Sequence, residues 1–309
     1  MMGKKRATAV SGDVAFDAYY AALFGERWPA LRAALSEPPS HAVRLNPSRE
    51  GLIERLAQAL ERPPVAMAYD RTCYALDRVV AGFASDEAWF LDPASVRVAA
   101  LLDVMPGQRV LDLCAAPGGK GLALADRLVG EDGALDGELT LNELSDGRRG
   151  RLRRAVNGWL PGVAAAAVRV TGHDGSRWGL VAPASYDRVL LDAPCSSEAH
   201  VLADASALAQ WTPARPRQLA MRQLALLCAA IDACASGGRV VYATCALAGV
   251  ENDGGVGRAL AKRRDVVVRE TIGDDDLRLQ GGEATGFGWR WLPDVSDEGP
   301  MAVAVLLKL

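Results

Sequence analysis

A chain of 309 residues, half of them hydrophobic, is long enough to bury one full-size core with a smaller domain beside it. No apolar run approaches the ~20 residues that cross a bilayer, and the start MMGKKRATAV leads into the polar SGD, so a soluble, cytoplasmic protein is expected. The net charge of -3 does not advertise contact with a polyanion, which leaves that task to local clusters of arginine.

From Asp13 to about Leu60 the spacing predicts helices. Phe16, Tyr19, Tyr20, Leu23 and Phe24 share one, Leu52, Ile53, Leu56 and Leu60 share a second, and Pro38 and Pro39 separate them. Between Pro63 and Asp92, short apolar runs broken by Gly and Pro suggest a small mixed region without a core of its own. A boundary near residue 100 follows, with residues 1–100 a mainly helical α+β region and residues 101–309 the larger domain.

Beyond that boundary, strands and helices alternate. RVLDLCAA, GELTLNEL, AAVRVTG, YDRVLLDAP, GGRVVYATCAL, VVVRE and MAVAVLLKL read as strands, their continuous apolar runs suiting burial on both faces. This is the pattern of a parallel, doubly wound, Rossmann-like α/β sheet. Leu152, Val156, Trp159 and Leu160 mark one helix face, and Leu224, Leu227, Cys228 and Ile231 another. The glycine-rich stretch 281–288 reads as a flexible loop of no legible role.

Arg148, Arg149, Arg151, Arg153 and Arg154 crowd into seven residues, and Arg215, Arg217 and Arg222 form a looser group. Either cluster could meet phosphates, although a solvated helix face explains the first as well. Six cysteines without paired CxxC spacing fit neither a disulfide scaffold nor a zinc ribbon and are expected to be reduced. His41, His173 and His200 are isolated in sequence, so no metal is expected.

In open α/β sheets the ligand sits where the first strand turns into the first helix. Here that turn is DLCAAPGGK, residues 112–120, in which small Ala115 and Ala116 and bare Gly118 and Gly119 leave room for a ligand. Gly121 stands where a Walker loop needs Ser or Thr, which disfavours triphosphate hydrolysis. Glu143, at the end of the second strand, suits a pair of ribose hydroxyls, and Asp174, in TGHDG, suits an adenine edge. An isolated Asp in such a loop is more often a turn former, but in this order the residues describe an adenosyl cofactor site.

Two cysteines follow apolar strands at the edge that carries this turn, Cys195 in DAPCSS and Cys245 in YATCAL. Cys73, Cys228 and Cys234 are read as core filler. A thiolate adding to carbon 6 of cytosine turns carbon 5 into a nucleophile for a methyl sulfonium. Asp192 can hold the ring of a flipped base, and Lys120 can position that carboxylate.

With DLCAAPGGK, NELSDGR, DAPCSS and YATCALAGVEND in this order, the chain resembles the NOL1/NOP2/Sun family of RNA cytosine carbon-5 methyltransferases from RLNP at residue 44 onward. The resemblance implies a seven-stranded S-adenosylmethionine-dependent methyltransferase domain over 101–309, with RNA binding by 1–100. It implies Cys245 as nucleophile and Cys195 as the helper of product release, with Asp192 and Lys120 beside them. The cofactor lining it implies is Cys114, Ala115, Ala116, Pro117, Gly118, Gly119, Lys120, Glu143, Arg148, Asp174, Gly175 and Asp192. SSEAHVL and GPMAVAV look most like the branch of the mitochondrial ribosomal-RNA member, so ribosomal RNA is the first expected substrate, transfer RNA the second. The protein is expected to act as a monomer or with an RNA-binding helper. The rival readings are a DNA cytosine methyltransferase, with the roles of the two cysteines reversed, and a non-catalytic ribosome-assembly protein.

Overall fold

The structure, a computed structural model, describes residues 11–38, 40–264, 267–273 and 275–309. The start read as lacking an apolar leader, Pro39 and Val266 of the VVVRE strand lie outside the described residues.

Four short strands, β1 (His41–Leu45), β2 (Ala66–Met67), β3 (Asp70–Leu76) and β4 (Ala88–Leu91), form an antiparallel sheet in the order β2-β3-β1-β4. The helix Leu52–Leu60 lays Leu52, Leu56 and Leu60 on Val43, Leu45, Tyr74 and Leu76. Two expectations are thereby corrected. The stretch from Asp13 to Leu60 is not all helical, because β1 pairs with both β3 and β4, and five residues carry too little periodicity to announce a strand. The mixed region also has a core of its own once β1 joins it.

The small sheet is fastened to the large domain by a buried cation. Arg44 bonds Thr72 (2.7 Å), Asp70 (2.5 Å) and, across the junction, Asp126 (3.1 Å). The first helices, Gly12–Phe24 and Trp28–Ser36, go elsewhere. Phe16, Tyr20, Trp28 and Leu31 pack on Val201, Trp211 and Leu247, in the segments that follow the two cysteine loops.

The large sheet continues with β5 (Arg109–Asp112), β6 (Glu138–Asn142), β7 (Arg169–Thr171), β8 (Tyr186–Asp192), β9 (Cys234–Thr244), β10 (Val267–Arg269), β11 (Glu283–Ala284), β12 (Trp289–Trp291) and β13 (Met301–Lys308). Its order is β11-β12-β13-β9-β8-β5-β6-β7, with β10 also on β13. The five strands β5 to β9 are parallel, and β13 lies antiparallel on β9. Two apolar clusters cover the two faces, one built on Leu122, Leu152, Val156 and Trp159, the other on Leu226, Leu227, Ala230 and Ile231. Burial on both sides is the reason these strands read as unbroken apolar runs.

Local readings change in two places. The alanines before β7 form a helix, Gly162–Ala167. The stretch 281–288 contains β11 and the turn of the β11–β12 hairpin, the turn held by the Asp253 carboxylate, which accepts from Thr285 Oγ1 (2.8 Å), Gly286 N (2.9 Å) and Phe287 N (3.1 Å). No helix among the described residues is long and apolar enough to cross a membrane.

Candidate active site

Strand register puts the two cysteine loops together. Because β8 and β9 are parallel with Asp192 opposite Ala243, Cys195 and Cys245 leave the sheet side by side. Their sulfurs are 3.0 Å apart, and Ser197 Oγ lies 3.2 Å from Cys245 Sγ and 3.5 Å from Cys195 Sγ. Ser197 adopts φ 52°, a left-handed conformation costly for a side-chain-bearing residue, and its hydroxyl lies within reach of both sulfurs. Donation from the Cys195 thiol, then from Ser197, holds Cys245 below the usual thiol range despite burial, whereas the same contact pushes Cys195 up. Their contact therefore favours negative charge on Cys245 over Cys195.

Neither sulfur is walled into hydrocarbon. Both residues are partly exposed and lie outside the packed apolar clusters, while Cys73 and Cys234 are fully buried in them and Cys228 packs at a margin. All six cysteines are free thiols.

Beside the pair, Lys120 Nζ bonds Asp192 Oδ2 (2.8 Å) and Ser95 Oγ (3.1 Å). Asp112, buried below, is pushed up to about 7 by desolvation and by the Asp192 charge. Lys120 is held above the ordinary amine range because attraction to Asp192 and Asp112 outweighs the desolvation that opposes it.

The ends of β5, β6 and β7 enclose a cleft of about 390 Å³. Leu113, Pro194 and Leu226 give it apolar walls, and Cys114, Glu143, Arg148, Asp174, Gly175 and Arg222 give it polar ones. Glu143 is buried, accepts from Ser145 N (2.8 Å) and faces Arg148 Nε at 3.4 Å, keeping lone pairs for a hydroxyl pair. Asp174 caps the turn Gly175–Arg177 through Oδ1, so it is turn former and cleft residue at once. Gly175 is bare because a Cβ there would lie 2.9 Å from Leu226. Acids beside apolar walls suit an adenosine.

The loops are stapled by Asn142, whose amide donates to the carbonyls of Leu113 (3.1 Å) and His173 (3.0 Å) and accepts from His173 N (2.9 Å). The rest of the 114–120 turn lies behind the cleft lining. Ala115 and Ala116 are buried, and Ala116 gives its carbonyl to Arg148 (2.6 Å). Pro117 is exposed at the head of the turn, and Gly118 packs on the helix Asp146–Trp159. The space left by Gly119 is taken by Trp89, whose indole nitrogen would lie 2.5 Å from a Cβ, so this bare position serves the domain junction.

Residues 99–307 match the model of the family described as 16S rRNA methyltransferase RsmB/F. The chain belongs to this family. Mouse 5-cytosine rRNA methyltransferase NSUN4 is 31% identical over 274 residues, 77% of this chain and 70% of its own length. Mouse mitochondrial tRNA (cytosine(34)-C(5))-methyltransferase is 30% identical over 275 residues, covering 82% and 76%. NSun6 from Pyrococcus horikoshii, solved with SFG, is similar in fold at 20% identity and TM-score 0.74, over 95% of this chain and 97% of that one. The expectation of an RNA cytosine-5 methyltransferase that uses S-adenosylmethionine is borne out at the level of the family.

For an RsmB/F-family enzyme the arginines divide by role. Arg149 is spent on Asp146 and on the carbonyls of Glu143 (2.9 Å) and Leu144 (3.1 Å), which removes it from the basic cluster. Arg151, Arg153 and Arg154 are exposed. Of the second group, Arg217 is exposed, Arg222 lines the cleft and Arg215 reaches the Ser196 carbonyl at 3.4 Å. Sequence reasoning gave no role to Asn142, Ser95 or Ser197 and grouped Arg222 with arginines for phosphate, whereas it lines the cleft; Asn142, in NELSDGR, and Ser197, in DAPCSS, lay within the quoted motifs. Among the described residues no group of three or more His, Cys, Asp or Glu could hold a metal.

The cleft carries a direct expectation. Glu143→Gln, which exchanges one acceptor oxygen for a donor, should weaken S-adenosylmethionine binding about tenfold by calorimetry. A Kd at the wild-type value would take Glu143 out of the site.

Proposed function

We propose that this enzyme methylates carbon 5 of a cytosine in ribosomal RNA through a transient bond from Cys245 Sγ to carbon 6 of the base. The observation that carries the reading is the pair of sulfurs 3.0 Å apart, with Cys245 the one whose contacts favour the charged form, beside the Lys120–Asp192 ion pair. The thiolate adds to carbon 6, and Asp192, oriented by Lys120, holds the ring nitrogen and exocyclic amine as charge develops. The cofactor supplies the electrophilic methyl group. Loss of the carbon-5 proton then expels Cys245 as thiolate, a step assisted by Cys195. Residues 1–100 and the exposed Arg151, Arg153, Arg154, Arg215 and Arg217 guide the RNA backbone.

Ribosomal RNA stands first because the NSUN4 relatives are named for it. The mitochondrial tRNA relative keeps transfer RNA as the second reading. Bisulfite mapping of ribosomal and transfer RNA with and without the protein decides between them, and methyl transfer from labelled S-adenosylmethionine decides against a purely binding protein, which would leave every RNA fraction unlabelled.

Cys195→Ala should accumulate a denaturant-resistant RNA adduct through Cys245, visible as a shifted band in a denaturing gel. An active variant without that band would end the release role of Cys195.

A further inference from the structure

Directly behind the sulfurs lie two carboxylates that the mechanism above does not use. Glu198 and Glu251 are fully buried, and each belongs to the loop of one cysteine while binding the loop of the other. Glu198, three residues past Cys195, accepts from Leu247 N at 3.0 Å, two residues past Cys245. Glu251, six residues past Cys245, accepts from Ser196 N at 3.0 Å, next to Cys195. The Ser196 hydroxyl bonds both carboxylates, and Tyr20 donates its hydroxyl to Glu198. Gln223 ties the pair to the helix Ala214–Ala233, donating to Glu251 (2.8 Å) and to the Pro194 carbonyl (2.9 Å).

A hydroxyl has one proton. Ser196 can bond two carboxyl groups only if it donates to one and accepts from the other, so one acid of the pair is protonated. Geometry makes Glu251 that acid, because its Oε1 meets only the Ser196 hydroxyl; burial pushes both acids up, Glu251 to about 7 with the help of the Glu198 charge. Both oxygens of Glu198 are acceptors, taking Leu247 N on one and the hydroxyls of Tyr20 and Ser196 on the other.

The geometry points to Glu198 and Glu251 as positioning residues, a reciprocal clamp with one proton between them that holds the Cys195 and Cys245 sulfurs in contact for the methylation step. The role rests on the reading of those cysteines as the working pair. It explains why two acids are buried without a cationic partner among the described residues, an arrangement costly in water-free surroundings unless every lone pair is occupied. The charged and titratable groups around them are Tyr19 and Tyr20 of the first helix, Arg215 and Arg217 of the helix Ala214–Ala233, Tyr242 of β9 and Arg258 of the helix Asp253–Lys262. None of these is a lysine or arginine bonded to either carboxylate.

The clamp has a readout that needs no RNA. Diamide takes one hydrogen from each of two touching thiols and leaves a disulfide, seen as the loss of two hydrogens in the intact mass, and its rate reports how closely Cys195 and Cys245 are held. In the full-length protein, Glu251→Ala should slow that rate and kcat by about tenfold, with KM for S-adenosylmethionine unchanged, because the β5–β7 loops build the cofactor cleft. Glu251→Gln, which still donates to Ser196 and accepts from its N–H, should restore both. Glu198→Gln should not, having one acceptor oxygen where two are used. As pH rises through about 7, wild-type kcat should fall as Glu251 loses its proton beside charged Glu198, and Glu251→Gln should lack that limb.

Folded Glu251→Ala and Glu198→Gln proteins that close the disulfide at the wild-type rate would overturn the clamp. If they do not fold, Ser196→Ala, which removes only the shared hydroxyl, decides: the expected rate is about threefold slower, and an unchanged rate overturns it. The disulfide rate tests the clamp alone, whereas methyl transfer retained in Cys245→Ala would overturn the catalytic reading and leave that rate uninformed.

Discussion

Cys245→Ala is expected to lower methyl transfer by about 10⁴-fold or more, the scale on which removal of a covalent nucleophile is felt. The affinity for S-adenosylmethionine should stay within about twofold, since the sulfur lies outside the cleft lining and cavity-sized changes there alone affect ligand contacts. The measurement is single-turnover transfer of labelled methyl to RNA, run beside Cys195→Ala. Should Cys195→Ala abolish transfer while Cys245→Ala keeps it, the roles are reversed and the enzyme uses the order proposed for the DNA enzymes. The contacts of Cys245 also set a pH expectation. Its titration is displaced downward by donation from Cys195 and Ser197, so the pH at which adduct formation reaches half its maximal rate should lie below that of an ordinary thiol.

Asp192→Asn should cost about 10²–10⁴ in kcat, the usual worth of a positioned acid-base group, with S-adenosylmethionine affinity nearly unchanged. The physical reason lies in the ion pair. Lys120 Nζ stands 2.8 Å from Asp192, and Asp112 shares the same buried neighbourhood. Without the Asp192 charge, repulsion on Asp112 disappears and its carboxyl should titrate below about 7, so Lys120 turns toward Asp112 and away from the base. Infrared titration of the buried carboxyl reads the second effect independently of turnover. A variant with wild-type kcat would show that the ring is held by another group.

Much of the large domain was legible because its strands are buried on both faces, which leaves apolar runs such as RVLDL, YDRVLL and MAVAVLL in the chain. The turn at 112–120 and the two cysteine motifs were legible for a related reason: each sits at the end of such a run, and parallel strands bring their ends to one edge. The strand β1 was not. HAVRL is five residues long, and its state is decided by β3 and β4, whose residues paired with it lie 29 or more positions farther on. The hairpin at 281–288 escaped for the same reason, since the carboxylate that orders it is Asp253, on another element.

By itself the sequence determined the chemistry available to this protein: which thiols, carboxylates and small residues stand next to strand ends, and in what order along the chain. The tertiary structure alone decided which of them meet. The register that sets Asp192 of β8 opposite Ala243 of β9, the Trp89 ring in the space left by Gly119, and two glutamates each reaching into the opposite cysteine loop are contacts between distant segments, set by packing and by the need of buried polar groups for partners, and no local spacing encodes them.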